Sequence, residues 1–387
     1  ATLTTKTAAT SKTLFRIASM SKSFTAMSIL KLRDEGKLSL TDPVSKYIPE
    51  INKAGALTTD AAPITIQNLL TMSAGFPEDN PWGDRQLDAT DEELLNTLRA
   101  GISFSNVPGV TFEYSNLGFA LLGKIIGVVS GTPYQQYITE NIMKPIGMND
   151  SKWEYDNVPA DQLASGYQWQ GDQWVSIPLL HDGAYGAMGG LICSIEDFGK
   201  YIALHLNAWP ARNEIETGPV RRSSIREMHQ PWRFNNLFAD AKNRNGSTCA
   251  AAVGYGYGLG WRKDCNGVVR ISHSGGLPGF GSEWRICPEY GIGIVSFSNH
   301  TYGAPSAANA LALDTLVSLA GLMPRVLSPS EILLKRQAEL IKLLPAWKDD
   351  ETKIFAENFF LDESLEKRKA ATLKVFGETG AIIKTTE

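Results

Sequence analysis

Cysteine and histidine are both scarce, at 4 and 5 among 387 residues. The cysteines (Cys193, Cys249, Cys265 and Cys287) show no C-x-x-C spacing and the histidines no H-x-x-x-H, so zinc has no local scaffold and no metal site is expected. One disulfide could join Cys249 and Cys265, which flank a glycine-rich strand region, but spacing alone selects no pairing. An excess of one charge is missing as well. With 37 Lys and Arg against 41 Asp and Glu the formal charge is -4, which gives no field to hold a nucleic-acid backbone or an anionic membrane. Long apolar runs are also absent. The best stretch, residues 118–129, is interrupted by Lys124 and falls short of the roughly 18 residues that span a bilayer, so no transmembrane segment is expected. Residues 1–12 carry neither an initiator Met nor an apolar signal core and read as a trimmed or processed terminus.

Core-forming material is plentiful. With 43% apolar and 20% charged residues the chain is globular in composition, and at roughly 150 residues per domain its length allows two or three domains. From Ser19, the residues Met20, Phe24, Met27 and Leu30 recur at helical spacing and Gly36 suits a C-terminal cap, which sets Ser19 at a helix N-terminus. Helical segments alternate with Gly, Pro and Asn loops from about residue 78 to 194. Beyond residue 250 the pattern turns to strands. Runs at 257–264 and 268–272 join through Asn266-Gly267, the favoured two-residue hairpin turn, and two more follow at 282–287 and 292–298, predicting a four-stranded antiparallel meander. A helix at 305–322 is expected to cover one face of it. Residues 323–387 hold 11 Lys or Arg and 11 Asp or Glu, about a third of that stretch, and read as an appended helical segment or the start of a further domain. Its first helix is predicted over 332–344 behind a Ser328, Pro329, Glu331 capping box, and its second over 362–376.

Three short patterns could carry chemistry. In Ser19-Met20-Ser21-Lys22 the first and last residues share a helix face, so a lysine desolvated in a cleft could take the serine proton. The same spacing recurs at Ser28 to Lys31 and at Ser364 to Lys367, so alone it singles out nothing. Tyr114-Ser115-Asn116 offers a phenol whose pKa a nearby ammonium could lower, fitting it to pass protons, and an amide able to meet a substrate amide. Taken singly, that motif reads better as a packed loop tyrosine and a helix cap. His273-Ser274-Gly275-Gly276 closes a predicted strand, where His273 and Gly275 share a face and a glycine would let substrate approach. The N–H of Gly276 could then join that of Ser19 as an oxyanion hole.

Together, and in this order, the three patterns resemble those of the penicillin-recognising serine hydrolases: class C β-lactamases, D-Ala-D-Ala carboxypeptidases, D-stereospecific aminopeptidases and β-lactamase-like carboxylesterases. The likeness covers residues 14–322 and extends to Phe15-Arg16-Ile17-Ala18, Ile64 through Leu70 leading into Ser73-Ala74-Gly75, Gly189-Gly190-Leu191 and His273 through Gly279. It implies an α+β fold of the β-lactamase/transpeptidase kind, an antiparallel sheet flanked by helices beside a mostly helical subdomain, with the serine in the cleft between. Carried over residue by residue, it implies Ser19 as nucleophile, with Lys22 and Tyr114 as proton-transfer pair. Asn116, His273, Ser274 and Gly275 would contact substrate, and the N–H groups of Ser19 and Gly276 would form the oxyanion hole. The implied activity is acyl transfer through an acyl-enzyme, cleaving amides or peptides, including those of D-configuration, or esters, without a cofactor. The alternative is an idle relative that keeps the cleft for recognition, which three chemically competent motifs disfavour. The expected partner is a small-molecule or peptide substrate, and the expected location is extracytoplasmic, periplasmic or secreted.

Two features depart from the family pattern. His273 stands where β-lactamases of this type carry lysine; a mostly neutral ring suits a substrate carboxylate poorly and points toward peptidases and esterases. Only 18 residues precede Ser19, so the family's N-terminal strands are expected to be missing or supplied by a second chain. The catalytic domain is then residues 1–322 and the extension 323–387. Phe76, Trp82, Tyr185, Met188, Phe280 and Trp284 lie near these phrases and are candidates to line a pocket.

Overall fold

The computed structural model describes residues 1–3, 6–80, 82–242, 246–326, 329–345 and 347–382. They fall into two compact units, Ala1–Val326 and Leu327–Glu387.

In the first unit, two short pairs precede the main sheet: β1 (Phe15–Arg16) with β4 (Ile192–Cys193), and the hairpin of β2 (Gly166–Gln170) and β3 (Gln173–Ile177). The main sheet runs β5 (Arg233–Phe238), β6 (Ala251–Tyr255), β7 (Gly260–Asp264), β8 (Val269–Leu277), β9 (Phe280–Cys287) and β10 (Ile292–Ser298), six strands each antiparallel to the next. A hairpin joins β7 to β8 where Asn266-Gly267 predicts one, but not as a two-residue turn: the Gly267 N–H donates to the Asp264 carbonyl (2.9 Å), Gly267 alone of the two has positive φ (+80°), and the last strand pair is Lys263 with Val269. Two strands exceed the expected four. The β5 and β6 sequences, RFNNLF and AAVGY, lack an alternation of β-formers, and β6 is held by its pairing with β7 on one side and β5 on the other. β10 ends the sheet on the other edge, with no further strand beside it among the described residues. A disulfide joins Cys249 to Cys265, tying the approach to β6 to the β7–β8 turn, while Cys193 and Cys287 are buried and free.

The helical side comprises α1 (Ser21–Asp34), α2 (Ile66–Leu70), α3 (Asp91–Ala100), α4 (Asn116–Ser130), α5 (Tyr134–Ile138), α6 (Gly186–Gly189), α7 (Ile195–Asn207) and α8 (Arg222–Met228), with α9 (Ser306–Leu319) following the sheet. α1 is the pillar of the unit: 11 of its 14 residues are buried, so it has no solvent face. Its hydroxyls are satisfied internally. Ser21 donates to the Ala18 carbonyl (2.7 Å), Thr25 to that of Ala187 (2.6 Å) and Ser28 to that of Phe24 (2.9 Å). Phe24 stacks on Tyr201 of α7 at 3.8 Å between centroids, and Phe198 of α7 meets Trp284 of β9 edge-on, so one aromatic layer joins α1 to the sheet. On the opposite face α9 sets Leu313 against Val268 and Cys287, as expected. Gly123 lets α4 close on α6, where a Cβ would lie 2.4 Å from that of Ala187. No single helix among the described residues is long and apolar enough to cross a membrane.

The second unit is helical: α10 (Glu331–Leu343), α11 (Phe359–Asp362) and α12 (Leu365–Thr379). The cap of α10 is Ser330, whose hydroxyl accepts the Leu333 N–H; Ser328, the predicted cap, lies outside the described residues. α12 starts later than expected because Ser364 caps it by accepting the Lys367 N–H, and it runs through Gly377 to Thr379. That cap accounts for one stray S-x-x-K match.

Candidate active site

Ser19 sits in a single 3-10 turn, Ala18–Met20, that feeds directly into α1. The chain reaches it through β1 and then reverses at Ala18, a non-glycine residue held at φ +51°. Such a conformation persists only where the surroundings enforce it. Here the enforcement comes from the sheet. Ser282 of β9 donates to the Ile17 carbonyl at 2.7 Å, and Gly275 of β8 lies so close that a Cβ would be 2.4 Å from that carbonyl and 2.9 Å from the Ala18 Cβ. Gly275 therefore packs the serine turn onto the sheet. It does not line the cleft, a correction to its expected role as the glycine that admits substrate.

One turn along α1, Lys22 is fully buried, and its Nζ donates to Ser19 Oγ (3.0 Å), Asn116 Oδ1 (2.8 Å) and the Met188 carbonyl (2.9 Å). Burial lowers its pKa to about 7, against the opposing pull of Asp84 and Asp79. Tyr114 hydrogen-bonds to the Ser19 side chain, and the centroid of its ring lies 4.9 Å from the Lys22 ammonium. Its pKa is raised, not lowered as the ammonium argument predicts. Burial dominates, and the carboxylates of Asp84, Asp79 and Glu78 reinforce it, while the hydrogen bond from Ser19 opposes it. The Lys22 charge meets the ring face, and the phenol stays protonated.

Asn116 opens α4 and is wholly buried. Its Oδ1 accepts from Lys22, and its Nδ2 donates to Asn80 Oδ1 at 2.6 Å, so both ends of the amide bond to protein. Asp79 holds the start of the helix by accepting the N–H groups of Asn116 (2.7 Å) and Leu117 (2.8 Å). Asn116 is thus a strut between Lys22 and Asn80, and it is not among the described residues that line the cavity. On the sheet side His273 is neutral, with burial and the Lys22 charge pushing its pKa down to about 3. Its Nδ1–H donates to the Ser274 carbonyl (2.6 Å), which leaves Nε2 to accept from the Tyr255 hydroxyl (2.9 Å).

A cavity of about 320 Å³ gathers Ser19, Tyr114, His273, Ser274 and Gly276, together with three residues that sequence reasoning missed: Asn80, Asp84 and Tyr302. Asp84 is 2% exposed and accepts from the Tyr302 hydroxyl at 3.1 Å. The Tyr302 ring covers Gly276, where a Cβ would be 2.6 Å from a ring carbon. No local pattern marks these three residues; they meet only across the cleft. Of the pocket candidates, Phe76, Tyr185, Met188, Phe280 and Trp284 are buried in the core, while Trp82 is exposed and leans edge-on against Tyr185. Away from the cleft, Glu154, Asp156 and His181 bring one ligand atom each within 4.8 Å of the others, a grouping the histidine spacing does not reveal.

An antiparallel sheet flanked by helices, with a serine at the foot of a buried helix packed on the inner strands β8 and β9 and bonded to a lysine one turn on, is the β-lactamase/transpeptidase-like fold. The family model named Beta-lactamase matches residues 1–318, and the chain belongs to that family. It is 30% identical over 302 residues to Protein flp of Staphylococcus aureus strain COL, covering 76% of this chain and 54% of that protein. The chain thus spans about half the length of the curated relatives it matches. Among solved structures, the octameric penicillin-binding protein homologue from Pyrococcus abyssi aligns with a TM-score of 0.66 at 30% identity, covering 80% of this chain and 67% of that one. A class C β-lactamase aligns with a TM-score of 0.61 at 21% identity over 81% of this chain and 84% of its own, a likeness of fold.

Proposed function

We propose that this chain is a serine hydrolase that cleaves amide, peptide or ester bonds through an acyl-enzyme on Ser19. The observation that carries the reading is the hydrogen bond between Lys22 Nζ and Ser19 Oγ inside a cleft that burial keeps nearly dry. With a pKa of about 7, Lys22 is substantially neutral at physiological pH and takes the Ser19 proton as Oγ attacks a carbonyl carbon. The N–H groups of Ser19 and Gly276 receive the oxyanion. On collapse the bond to the amine or alcohol breaks, and that group takes the proton Lys22 received from Ser19, passed on through the Tyr114 hydroxyl, so that Lys22 ends neutral and the phenol keeps its proton. Water then attacks the ester and Ser19 is regenerated. Neutral His273 offers no cation to a substrate carboxylate, which favours peptidase, amidase or esterase activity over β-lactamase activity. The proposal sets the protein outside the cytoplasm, where a Cys249–Cys265 disulfide would persist.

Intact-protein mass spectrometry after treatment with a fluorophosphonate or penicillin probe tests the reading. A single adduct that is lost in Ser19→Ala is expected. A wild-type protein that takes no adduct, or a mutant that keeps it, overturns the assignment.

A further inference from the structure

Among its described lining residues the catalytic cavity holds one carboxyl and no lysine or arginine, and burial raises the pKa of that carboxyl against the pull of Lys22. Asp84 reaches the cavity from the 3-10 turn Gly83–Arg85, and among the described residues its buried Oδ1 has no hydrogen-bond partner while its Oδ2 accepts from the Tyr302 hydroxyl. An unpartnered buried carboxylate oxygen is expensive unless some other group uses it. The charges around it do not fill that role. Lys22 bears on Asp84 electrostatically, but its hydrogen bonds go to Ser19, Asn116 and Met188. Asp79 repels it, and Arg85 is exposed and sits against the Tyr302 phenol, outside the cavity lining. Tyr302, at φ +51° and 42% exposed, is the removable member of the pair.

We propose that Asp84 is a specificity-determining residue that receives the free ammonium of the substrate, with the Tyr302 hydroxyl holding its place until substrate arrives. The preferred substrates are then amides, peptides or esters of amino acids whose amino group is unblocked. Asp84 and Ser19 line the same cavity of about 320 Å³, so an ammonium on one and a scissile carbonyl at the other belong to the same small acyl unit. An ammonium supplies the charge-assisted hydrogen bonds that the buried carboxylate lacks, whereas an N-acylated analogue leaves it unpaired and is rejected. This inference deepens the hydrolase reading and rests on it for the scissile bond alone.

Binding to the Ser19→Ala protein reads the subsite without turnover. Alanine p-nitroanilides of both configurations, each with a free amine and as the N-acetyl form, are titrated by ligand-observed NMR into this protein and into the same protein carrying Asp84→Asn or Tyr302→Phe. The free-amine form of at least one configuration is expected to bind roughly ten- to a hundredfold more tightly than its N-acetyl partner. That preference should vanish with Asp84→Asn and persist or grow with Tyr302→Phe. Equal binding of the two forms, or a preference that survives Asp84→Asn, overturns the proposal. A failure of the serine to take a covalent probe would count against the hydrolase reading and leave this readout intact.

Discussion

Lys22 Nζ lies 3.0 Å from Ser19 Oγ, with the Asn116 amide oxygen 2.8 Å away on its other side. The lysine is therefore placed to withdraw a proton from the serine, and its charge state sets the pH at which it can do so. With Lys22 lowered to about 7, kcat/KM for a neutral ester should rise with pH through that value as the ammonium loses its proton. His273, already neutral down to about pH 3, adds no limb of its own. A pH–rate profile checks both points. In Lys22→Arg, where the cation cannot deprotonate, activity should fall by roughly two to four orders of magnitude.

Replacing Tyr114 with phenylalanine removes the hydroxyl on Ser19 while keeping the ring over Lys22. The expected loss in kcat is about 10²- to 10⁴-fold. Because burial raises the phenol above its ordinary value of 10.0, the wild-type profile should show no falling limb from this group up to pH 10. A limb below pH 9 that disappears in Tyr114→Phe would contradict the protonated assignment.

Asn116→Asp sets a carboxylate beside Lys22 in place of a neutral amide oxygen. An opposite charge at hydrogen-bond distance favours the ammonium, so the acid limb should move upward by roughly one to three pH units. Activity at pH 7 should fall while activity at pH 9 is partly kept. An unshifted limb would mean that another group controls it.

Gly275→Ala tests the packing of the serine turn. Its Cβ would press on the Ile17 carbonyl at 2.4 Å, a backbone atom that cannot rotate away. Overpacking of this kind costs about 1 to 3 kcal/mol, read as a lower midpoint of thermal unfolding, and covalent labelling of Ser19 should slow in parallel. Normal labelling with normal stability would show that the turn tolerates displacement.

Helix spacing lets Ser19 and Lys22 meet, but it does the same for Ser28 and Lys31; the first pair is legible because it stands in order with Tyr114-Ser115-Asn116 and His273-Ser274-Gly275. Gly267 likewise marks the β7–β8 hairpin through its own backbone preference for positive φ, although the turn is longer than two residues. The contacts of Asn116 and Gly275 are not legible for the opposite reason. Asn116 is turned inward by Lys22, 94 residues away in sequence, and by Asn80; Gly275 is pressed against Ile17 and Ala18. The strands β5 and β6 were invisible because their residues do not alternate in the way of a half-buried strand, and neighbouring strands define them.

The residues by themselves determined that Ser19 and Lys22 can meet, that a hairpin joins β7 to β8 and that a helix follows the serine, since each depends on torsions and spacings within a few positions. Only the tertiary structure decided the protonation states and the shape of the cleft. Lys22 near neutrality, a protonated Tyr114, a neutral His273 and the exposed Tyr302 set against the buried Asp84 all follow from which distant groups exclude water from one another. Desolvation is a property of the assembled interior, and no short stretch of sequence carries it.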